Sequence, residues 1–262
     1  MLERAERENL PTIAVQHHYA HVVACMVEHG LTESVIGVSF DGTGYGDDGA
    51  IWGGEFLVAD YKSYQRAAHV EYFPLPGGDA AIKKPARTAL ALLWSLGLEW
   101  DDALDSVKEF CAEDQVTLRV QLEKKINTPM TSSMGRLFDA VSALAGVQQK
   151  VNYEGQAAIE FEAMADSAEA GRYVFGVESG QVGVRSVVEA LVKDTVAGIP
   201  IQKISARFHN GLAEAVRETV QRISSETSLR SVVLSGGVWQ NITLLGRTLA
   251  LLKKDGFKVY IH

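Results

Sequence analysis

The sequence predicts an α/β protein with a mainly helical lobe inserted between two regions that contain strands. Near the N-terminus, the apolar run from Val35 to Phe40 is predicted as a strand, and an acidic glycine loop follows it. From residue 84 to about residue 169, apolar residues recur at spacings of three and four, which is typical of helices. Residues 231–241 then have the pattern of a strand, a glycine turn and a helix start.

The N-terminal region is predicted to contain one helix followed by strands. The helix covers roughly residues 16–29 and ends at Gly30, because glycine readily adopts the left-handed conformation that stops a helix. The strand at 35–40 comes next. Two β-rich segments follow it, at about 51–60 and 64–73.

The C-terminal region is predicted to alternate short strands with helices. Its elements are strands at 173–177 and 182–184, helices near 186–196 and 201–225, a strand that begins at Ser231, and a last strand from Lys258 to Ile261. A final strand without a covering element leaves a sheet edge open. We therefore expect the sequence to be a piece of a longer chain.

Composition disfavours several classes of function. The chain has 262 residues and is 47% hydrophobic, so it can bury a large core. Its net charge of -8 disfavours a surface that binds nucleic acid. We find neither a signal peptide nor an apolar run that could span a bilayer, and Cys25 and Cys111 lack disulfide-framework spacing. We expect a cytoplasmic protein with reduced thiols and with neither nucleic acid nor a membrane as a partner.

Two histidines four residues apart form the most informative motif. His17 and His21 share one face of the predicted helix, so both imidazoles could bind one metal ion. Asp41, at the end of the strand at 35–40, could complete a site that suits zinc, iron or another divalent ion. His18 faces another side of the helix. The alternative is that the histidines are ordinary surface or core residues.

Two glycine-containing turns could bind a phosphate group. In the loop of residues 41–49, glycines let backbone N–H groups approach an anion, although a plain β-hairpin turn explains the same pattern. The second turn follows the strand that begins at Ser231 and opens a helix, whose free N–H groups could face a nucleotide. A tight strand-to-helix turn is the alternative there. The candidate residues are Gly42, Thr43 and Gly44 in the first turn, and Ser235, Gly236, Gly237 and Asn241 in the second.

Two further polar segments lie at the starts of predicted helices. Gly135 and Asp139 follow a run of serines, and Glu154 and Gly155 belong to a polar cluster. Either segment could face a ligand. Helix capping explains both patterns equally well, so the residues alone leave the choice open.

Six segments, taken in order, form a more specific pattern than any one of them. They are His17-His-Tyr-Ala-His21, Phe40-Asp-Gly-Thr-Gly-Tyr-Gly-Asp-Asp-Gly-Ala-Ile-Trp-Gly-Gly-Glu55, Lys84-Pro-Ala-Arg-Thr-Ala-Leu90, Gly135-Arg-Leu-Phe-Asp-Ala140, Tyr153-Glu-Gly-Gln-Ala157 and Leu234-Ser-Gly-Gly-Val-Trp-Gln-Asn241. The pattern runs from about Leu10 to His262. It resembles the C-terminal carbamoyltransferase region of the HypF family of hydrogenase maturation factors.

The resemblance implies an actin-like ATPase fold, of the ASKHA or ribonuclease H-like type, that is incomplete at both termini. It divides the chain into three parts. Residues 1–80 would form part of a first actin-like lobe with the histidine helix and the glycine loop. Residues 81–170 would form the mainly helical lobe, and residues 171–262 a truncated second actin-like lobe.

The resemblance also implies a reaction and its ligands. In that family, carbamoyl phosphate and ATP give carbamoyl-adenylate, and the carbamoyl group then moves to the C-terminal cysteine of the partner HypE, on the way to the cyanide ligand of NiFe-hydrogenase. His17, His21 and Asp41 would hold zinc or iron. The residues implied to contact the nucleotide are Gly42, Thr43, Gly44, Gly135, Asp139, Glu154, Gly155, Ser235, Gly236, Gly237 and Asn241.

The other domains of the HypF family are not found in the sequence, so we expect a fragment that has those domains as partners. One alternative is a noncatalytic piece that binds a nucleotide or a partner, which would show binding without turnover. Another is a TsaD-like transferase that modifies tRNA, which the negative charge disfavours. A third is a sugar or acetate kinase, which does not require the histidine pair.

Overall fold

In the part of the chain that the structure describes, nine strands form one mixed sheet. The computed structural model describes residues 2–262. Its strands are β1 (Val35–Tyr45), β2 (Ile51–Ala59), β3 (Tyr64–Val70), β4 (Phe73–Pro74), β5 (Met130–Thr131), β6 (Gly176–Glu178), β7 (Gln181–Gly183), β8 (Ser231–Ser235) and β9 (Lys258–Ile261).

The helices lie before, between and after these strands. They are α1 (Leu2–Arg7), α2 (His17–Glu28), α3 (Asp79–Lys83), α4 (Pro85–Ser95), α5 (Asp105–Lys108), α6 (Ala112–Glu123), α7 (Met134–Leu144), α8 (Gln156–Ala163), α9 (Arg185–Val196), α10 (Ile201–Thr227) and α11 (Ile242–Lys254). A short 3-10 helix, Gly237–Gln240, joins β8 to α11. Among residues 2–262, no helix combines the length and the hydropathy that a membrane crossing requires.

The sheet changes from antiparallel to parallel pairing at β1. Its main path has the order β6-β7-β3-β2-β1-β8-β9, and β4 and β5 pair beside that path. β1, β2 and β3 are antiparallel neighbours, whereas β8 runs parallel to β1 and β9 runs parallel to β8. β1 is therefore the strand that joins the two halves of the sheet.

β1 is buried on both of its faces. All six residues from Val35 to Phe40 are buried. Val35 packs in an apolar cluster with α2, whereas Ile36 and Phe40 pack in the larger cluster on the opposite face. A strand covered on both sides needs a continuous apolar run, which is the pattern that the sequence has here.

α2 lies directly against β1 at Gly37. A Cβ atom at this glycine would be 2.4 Å from Cγ2 of Val22. The missing side chain therefore allows the helix to approach the strand closely. This approach brings the first turns of α2 to the end of β1, where Asp41 lies.

Helices from the middle and the end of the chain pack together on the other face of the sheet. All 11 residues of α7 are buried. The ring of Phe208 in α10 lies 5.1 Å from that of Phe138 in α7 and 6.0 Å from that of Phe161 in α8, measured between centroids. These aromatic contacts join the helical lobe to the C-terminal region.

Most predicted elements are confirmed to within a few residues. β1 and β2 are antiparallel, as the hairpin interpretation of the glycine loop requires. β1 continues through Tyr45, however, so much of the loop of residues 41–49 belongs to the strand. The strand predicted at 182–184 is observed as β7, one residue earlier. The strand predicted at 173–177 is mostly wrong, because β6 begins only at Gly176 and residues 173–175 belong to no strand.

The first and the third of the predicted parts of the chain contribute strands to the same sheet. Strands from residues 1–80 and from residues 171–262 lie side by side, since β1 pairs directly with β8. A parallel pair requires a long crossover connection, and here the helical segment of residues 81–170 forms part of that crossover. Sequence order alone therefore separates segments that the fold joins. The boundaries at residues 80 and 170 remain predictions.

The stacked pair of Phe40 and Trp239 gives a test of the core. Phe40 is fully buried and its ring stacks on Trp239 with centroids 5.2 Å apart. We expect Phe40→Ala to lower the free energy of unfolding by about 3–5 kcal/mol, because the lost ring leaves a cavity. Urea denaturation measures this change. Tyr45→Ala in the same strand is the control, since Tyr45 is 80% exposed, and a similar cost for both variants would contradict the prediction.

Candidate functional site

Three of the predicted side chains converge at the junction of α2 and β1. Gln16 caps α2 by accepting a hydrogen bond from the backbone N–H of Tyr19 at 2.8 Å, so the helix begins at His17. Nε2 of His17 and Nε2 of His21 each lie 3.1 Å from Oδ2 of Asp41. One ligand atom from each of the three residues lies within 4.8 Å of the other two.

This donor set fits a divalent metal ion. Two imidazole nitrogens and one carboxylate oxygen are ligands that zinc and iron both accept, and three protein ligands leave coordination positions for a substrate oxygen. The second oxygen of Asp41, Oδ1, accepts the backbone N–H of Gly42 at 2.8 Å. That hydrogen bond fixes the carboxylate, so that Oδ2 faces the two histidines.

Asp41 is ionised at neutral pH. Burial alone would raise the pKa of its carboxyl group, but hydrogen bonds from His21, from the Gly42 backbone and from His17 outweigh burial. They hold the pKa of Asp41 well below its usual range. The cluster therefore presents a negative oxygen between two imidazoles, which is the charge that a cation requires.

His18 lies outside the cluster, as its helical position predicts. Its Nδ1 lies 3.0 Å from Nε2 of Gln16, which is a donor, so Nδ1 is the acceptor. Burial lowers the pKa of His18 to about 4, so the ring is neutral at neutral pH. A Cβ atom at Gly44 would lie 2.4 Å from Cε1 of His18 and 2.9 Å from Cδ2 of His17. Gly44 thus makes room for the histidines.

A cleft with a volume of about 530 Å³ begins beside the cluster. Asp41 belongs both to the cluster and to the wall of this cleft. Many of the residues predicted to contact a nucleotide line it as well. They are Gly42, Gly135, Asp139, Glu154, Gly155, Gly237 and Asn241.

Four predicted contact residues do not line the cleft. Thr43 is exposed, and Gly44 lies against the histidines. The hydroxyl group of Ser235 donates a hydrogen bond to the carbonyl of His21 at 3.1 Å and is buried. Gly236 passes so close to β1 that a Cβ atom there would be 2.3 Å from the carbonyl oxygen of Phe40. Gly44 and Gly236 thus have a packing role, since each lies where a side chain would collide with a neighbouring element.

Ser133 joins α7 to the glycine loop. Its hydroxyl oxygen accepts the backbone N–H of Arg136 at 3.1 Å and so caps the helix. The same hydroxyl lies 2.9 Å from the carbonyl of Asp41 and 2.6 Å from that of Gly42, to which it donates. At Gly135, a Cβ atom would be 2.8 Å from Cα of Gly42. The helix start and the loop therefore form one packed unit.

The buried carboxylate of Glu55 joins β2 to the segment before α7. Oε1 of Glu55 accepts the backbone N–H groups of Gly53 at 3.0 Å and Gly54 at 3.1 Å, and the hydroxyl of Ser132 at 2.6 Å. Its Oε2 accepts Nε of Arg66 at 2.6 Å. Every oxygen of this buried charge has a partner within the fold.

Arg136, Asp139 and Glu154 form a charged group in the cleft wall. Nε of Arg136 lies 3.0 Å from Oδ2 of Asp139, and Nη2 lies 3.9 Å from Oε1 of Glu154. Burial raises the pKa of Asp139 to about 6, while the charge of Arg136 opposes this rise and that of Glu154 adds to it. The sequence predicts Asp139 and Glu154 but not Arg136, because an arginine on a helix is usually exposed.

Asn241 is held in place by a buried histidine. Its Oδ1 accepts the backbone N–H of Leu244 at 2.8 Å and caps α11. Its Nδ2 donates to Nε2 of His209 at 2.9 Å, while Nδ1 of His209 donates to the carbonyl of Ser205 at 2.8 Å. These contacts fix the neutral tautomer with the proton on Nδ1. No local pattern around His209 indicates this role, since it depends on the packing of α10 against α11.

The metal cluster gives a second prediction. We expect purified protein to bind zinc or iron, with about one ion per chain, and His17→Ala or His21→Ala to lose most of it, because each removes one of three ligands. Elemental analysis by mass spectrometry measures the bound metal. The control is His29→Ala, since the ring of His29 contacts the carbonyl of Ile261, away from the cluster. Metal content that is unchanged in the His17 and His21 variants would contradict the assignment.

His209 gives a prediction of pH dependence. Burial lowers the pKa of His209 from 6.5 to about 4, so the unfolded chain takes up a proton more readily than the folded chain. The stability that this group contributes is therefore present above pH 6.5 and is lost as the pH falls toward 4. The loss amounts to about 3 kcal/mol.

Between about pH 7 and about pH 4, we expect the free energy of unfolding to fall less in His209→Gln than in the wild type, because glutamine does not titrate. Urea denaturation at several pH values measures the difference. His29→Gln, at an exposed position, should keep the wild-type dependence. If both variants follow the wild-type curve, His209 does not have the lowered pKa.

Two family models match the chain. The model described as "Carbamoyltransferase, Kae1-like Domain, second subdomain" covers residues 37–262. The model described as "HypF Kae1-like domain" covers residues 1–28. The first match begins inside β1 and extends to the end of the chain, so it includes the complete cleft wall described above.

Relatives in several organisms are similar over nearly the whole chain. Carbamoyltransferase HypF of Synechocystis sp. is 39% identical over 274 residues, which cover 97% of this chain and 35% of the relative. Carbamoyltransferase HypF of Rhizobium leguminosarum is 37% identical over 259 residues, which cover 97% and 33%. The chain thus spans about one-third of the length of these relatives.

Solved structures agree with the sequence comparisons. A crystal structure of full-length HypF in the phosphate- and nucleotide-bound form matches with a TM-score of 0.90 and 40% identity, over 99% of this chain and 41% of that one. HypF of T. kodakarensis matches with a TM-score of 0.86 and 32% identity, over 99% and 35%. The α/β fold is therefore the Kae1-like form of the actin-like ATPase fold, and the chain belongs to the HypF carbamoyltransferase family.

Proposed function

We propose that this chain is the carbamoyl-transferring part of a HypF protein, which moves a carbamoyl group from carbamoyl-adenylate to the C-terminal cysteine of HypE. The observation that carries the proposal is that Asp41 belongs both to the metal cluster and to the cleft wall. A group bound in the cleft can therefore reach the metal cluster. Since the chain spans about one-third of its relatives, we assign the formation of carbamoyl-adenylate from carbamoyl phosphate and ATP to the remaining domains.

The cluster would hold zinc or iron through His17, His21 and Asp41. Such an ion, when bound, supplies a Lewis acid that neutralises negative charge on a phosphate oxygen. Asp41 is kept ionised by its hydrogen bonds and is oriented by the Gly42 backbone. The residues of this chain thus fix where the phosphate end of the ligand lies.

The cleft has a size and a lining that suit a nucleotide. Its volume of about 530 Å³ falls within the range of small-molecule sites. Gly42 and Gly135 line one wall without side chains, so a ligand can approach the backbone there. Gly237 and Asn241 also line the cleft, and Gly237 has no side chain to block the approach of a ligand to the backbone.

The transfer step requires an incoming thiolate. Its sulfur attacks the carbamoyl carbon, so a carbon–sulfur bond forms while the carbon–oxygen bond to AMP breaks. AMP leaves with the bonding electron pair, and the thiol proton has passed to solvent. Negative charge increases on the phosphate of AMP during this step, so donors fixed in the cleft stabilise the transition state.

The attacking sulfur comes from another molecule in this proposal. Cys25 is buried between α2 and the sheet, and burial raises the pKa of its thiol to about 11. Cys111 is exposed and precedes α6, and neither cysteine lines the cleft. A protein partner with a flexible C-terminal cysteine satisfies this requirement. Free cysteines also agree with a reducing compartment such as the cytoplasm.

Transfer from carbamoyl-adenylate to HypE tests the proposal. Purified chain is mixed with freshly prepared carbamoyl-adenylate and HypE, and mass spectrometry follows the addition of one carbamoyl group. We expect Asp41→Asn to slow the transfer by about 100- to 1,000-fold, because it weakens the stabilisation of charge on the phosphate. HypE without its C-terminal cysteine is the acceptor control.

The exposed His29 provides the control within the chain, since His29→Ala should transfer at the wild-type rate. Nucleotide binding without transfer to HypE would favour a noncatalytic binding fragment. Transfer by Asp41→Asn at the wild-type rate would show that the metal cluster has no part in the reaction, and the proposal would then be rejected.

A further inference from the structure

Arg136 is a buried arginine whose guanidinium group has N–H donors without hydrogen-bond partners. Only 2% of the residue is exposed, and it is among the largest fully buried side chains of the described residues. It is the third residue of α7, a helix whose residues are all buried. Arginine keeps its charge in proteins and carries five N–H donors, so its burial requires partners.

Few of those donors have partners within residues 2–262. Nε lies 3.0 Å from Oδ2 of Asp139, but the two groups are not aligned as a hydrogen bond, and Nη1 has no hydrogen-bond partner at all. The distance of 3.9 Å from Nη2 to Glu154 is too long for a hydrogen bond. This contrasts with Glu55, whose carboxylate oxygens all have partners.

Arg136 belongs to the wall of the cleft. Arg136 lines the cleft together with Asp41 and Gly42. A Cβ atom at Gly42 would be 3.6 Å from Nη2 of Arg136 and 3.0 Å from Oε1 of Glu154, so the glycine keeps the approach to the guanidinium open. A small group bound at this point would contact Arg136 on one side and the loop that carries Asp41 on the other.

Two carboxylates flank the guanidinium group of Arg136. Asp139 is the buried counterion, and burial makes its ionisation less favourable than that of an ordinary aspartate. Glu154 is 68% exposed in its side chain and lies beyond hydrogen-bond distance, so water screens it. Neither carboxylate accepts a well-aligned hydrogen bond from the guanidinium, so its donors remain available to a ligand. Planar guanidinium groups bind phosphate oxygens with two parallel hydrogen bonds.

We propose that Arg136 is the phosphate receptor of the cleft and donates hydrogen bonds from its guanidinium group to a phosphate oxygen of the bound adenylate. This inference rests on the proposed function and names the residue that would hold the leaving group. Arg136 lies beside the loop of Asp41, so the phosphate group lies next to the metal cluster. As the bond between the carbamoyl carbon and AMP breaks, the guanidinium stabilises the charge that remains on AMP.

The test compares the binding of AMP with that of adenosine, which lacks the phosphate group. Isothermal titration calorimetry is carried out on the wild type, Arg136→Gln and Arg136→Lys. We expect Arg136→Gln to bind AMP about 10- to 100-fold more weakly and adenosine within about twofold of the wild type, because only a charge-assisted hydrogen bond is lost. Arg136→Lys should be intermediate. Arg119→Gln, at an exposed arginine stacked on Trp100, is the control for the loss of one positive charge.

Retained adenosine binding shows that the variant cleft is folded. If Arg136→Gln does not fold, the side-chain nitrogen resonances of Arg136 in the wild type replace it, and they should shift with AMP but not with adenosine. An unchanged preference for AMP in Arg136→Gln overturns the inference, and so do unshifted resonances or a wild type that binds both ligands equally.

The transfer assay separates this inference from the proposed function. Suppose that the wild type does not modify HypE, but that it prefers AMP to adenosine and Arg136→Gln does not. The role of Arg136 as phosphate receptor then stands, and the proposed reaction fails. If Arg136→Gln modifies HypE at the wild-type rate, the reaction stands and the role of Arg136 is rejected.

Discussion

The parallel pairing of β1 with β8 is the interaction on which the candidate site depends. The register places Ser39 beside Ser235, so both strands end at the same edge of the sheet. Gly236 then turns with a φ of 101°, which favours glycine, and passes directly under the carbonyl of Phe40. A Cβ atom at Gly237 would be 3.2 Å from Oδ1 of Asp41. A shift in this register would separate the metal cluster from the opposite cleft wall.

Local patterns in the sequence predict the elements of this fold but not their neighbours. The apolar run of β1 and the spacing of His17 and His21 involve residues that are close in the chain, so periodicity is sufficient to place them. Which strand lies beside β1 depends on packing of the whole chain. For the same reason, local pattern marks Gly44 and Gly236 as possible ligand contacts but does not reveal that each allows a close approach between the backbone and neighbouring atoms.

Buried charges are the second feature that local pattern does not predict. Glu55 and Arg136 both belong to segments that resemble a family pattern, yet periodicity alone would place such residues at the surface. The fold buries both of them, with different results. Glu55 has hydrogen-bond partners on both oxygens and holds the strand β2 and the turn before α7 together. Arg136, in contrast, has guanidinium nitrogens without hydrogen-bond partners and lines the cleft.

The close packing of α2 on β1 at Gly37 has a consequence for local stability. Two candidate ligands lie on α2 and the third follows β1, so an ion bound to all three would connect a helix to the centre of the sheet. Such an ion would bind only while the helix remains docked, and it would therefore oppose local unfolding of α2. Hydrogen exchange of the α2 amides would then become slower as the site fills, and the rest of the sheet would change little.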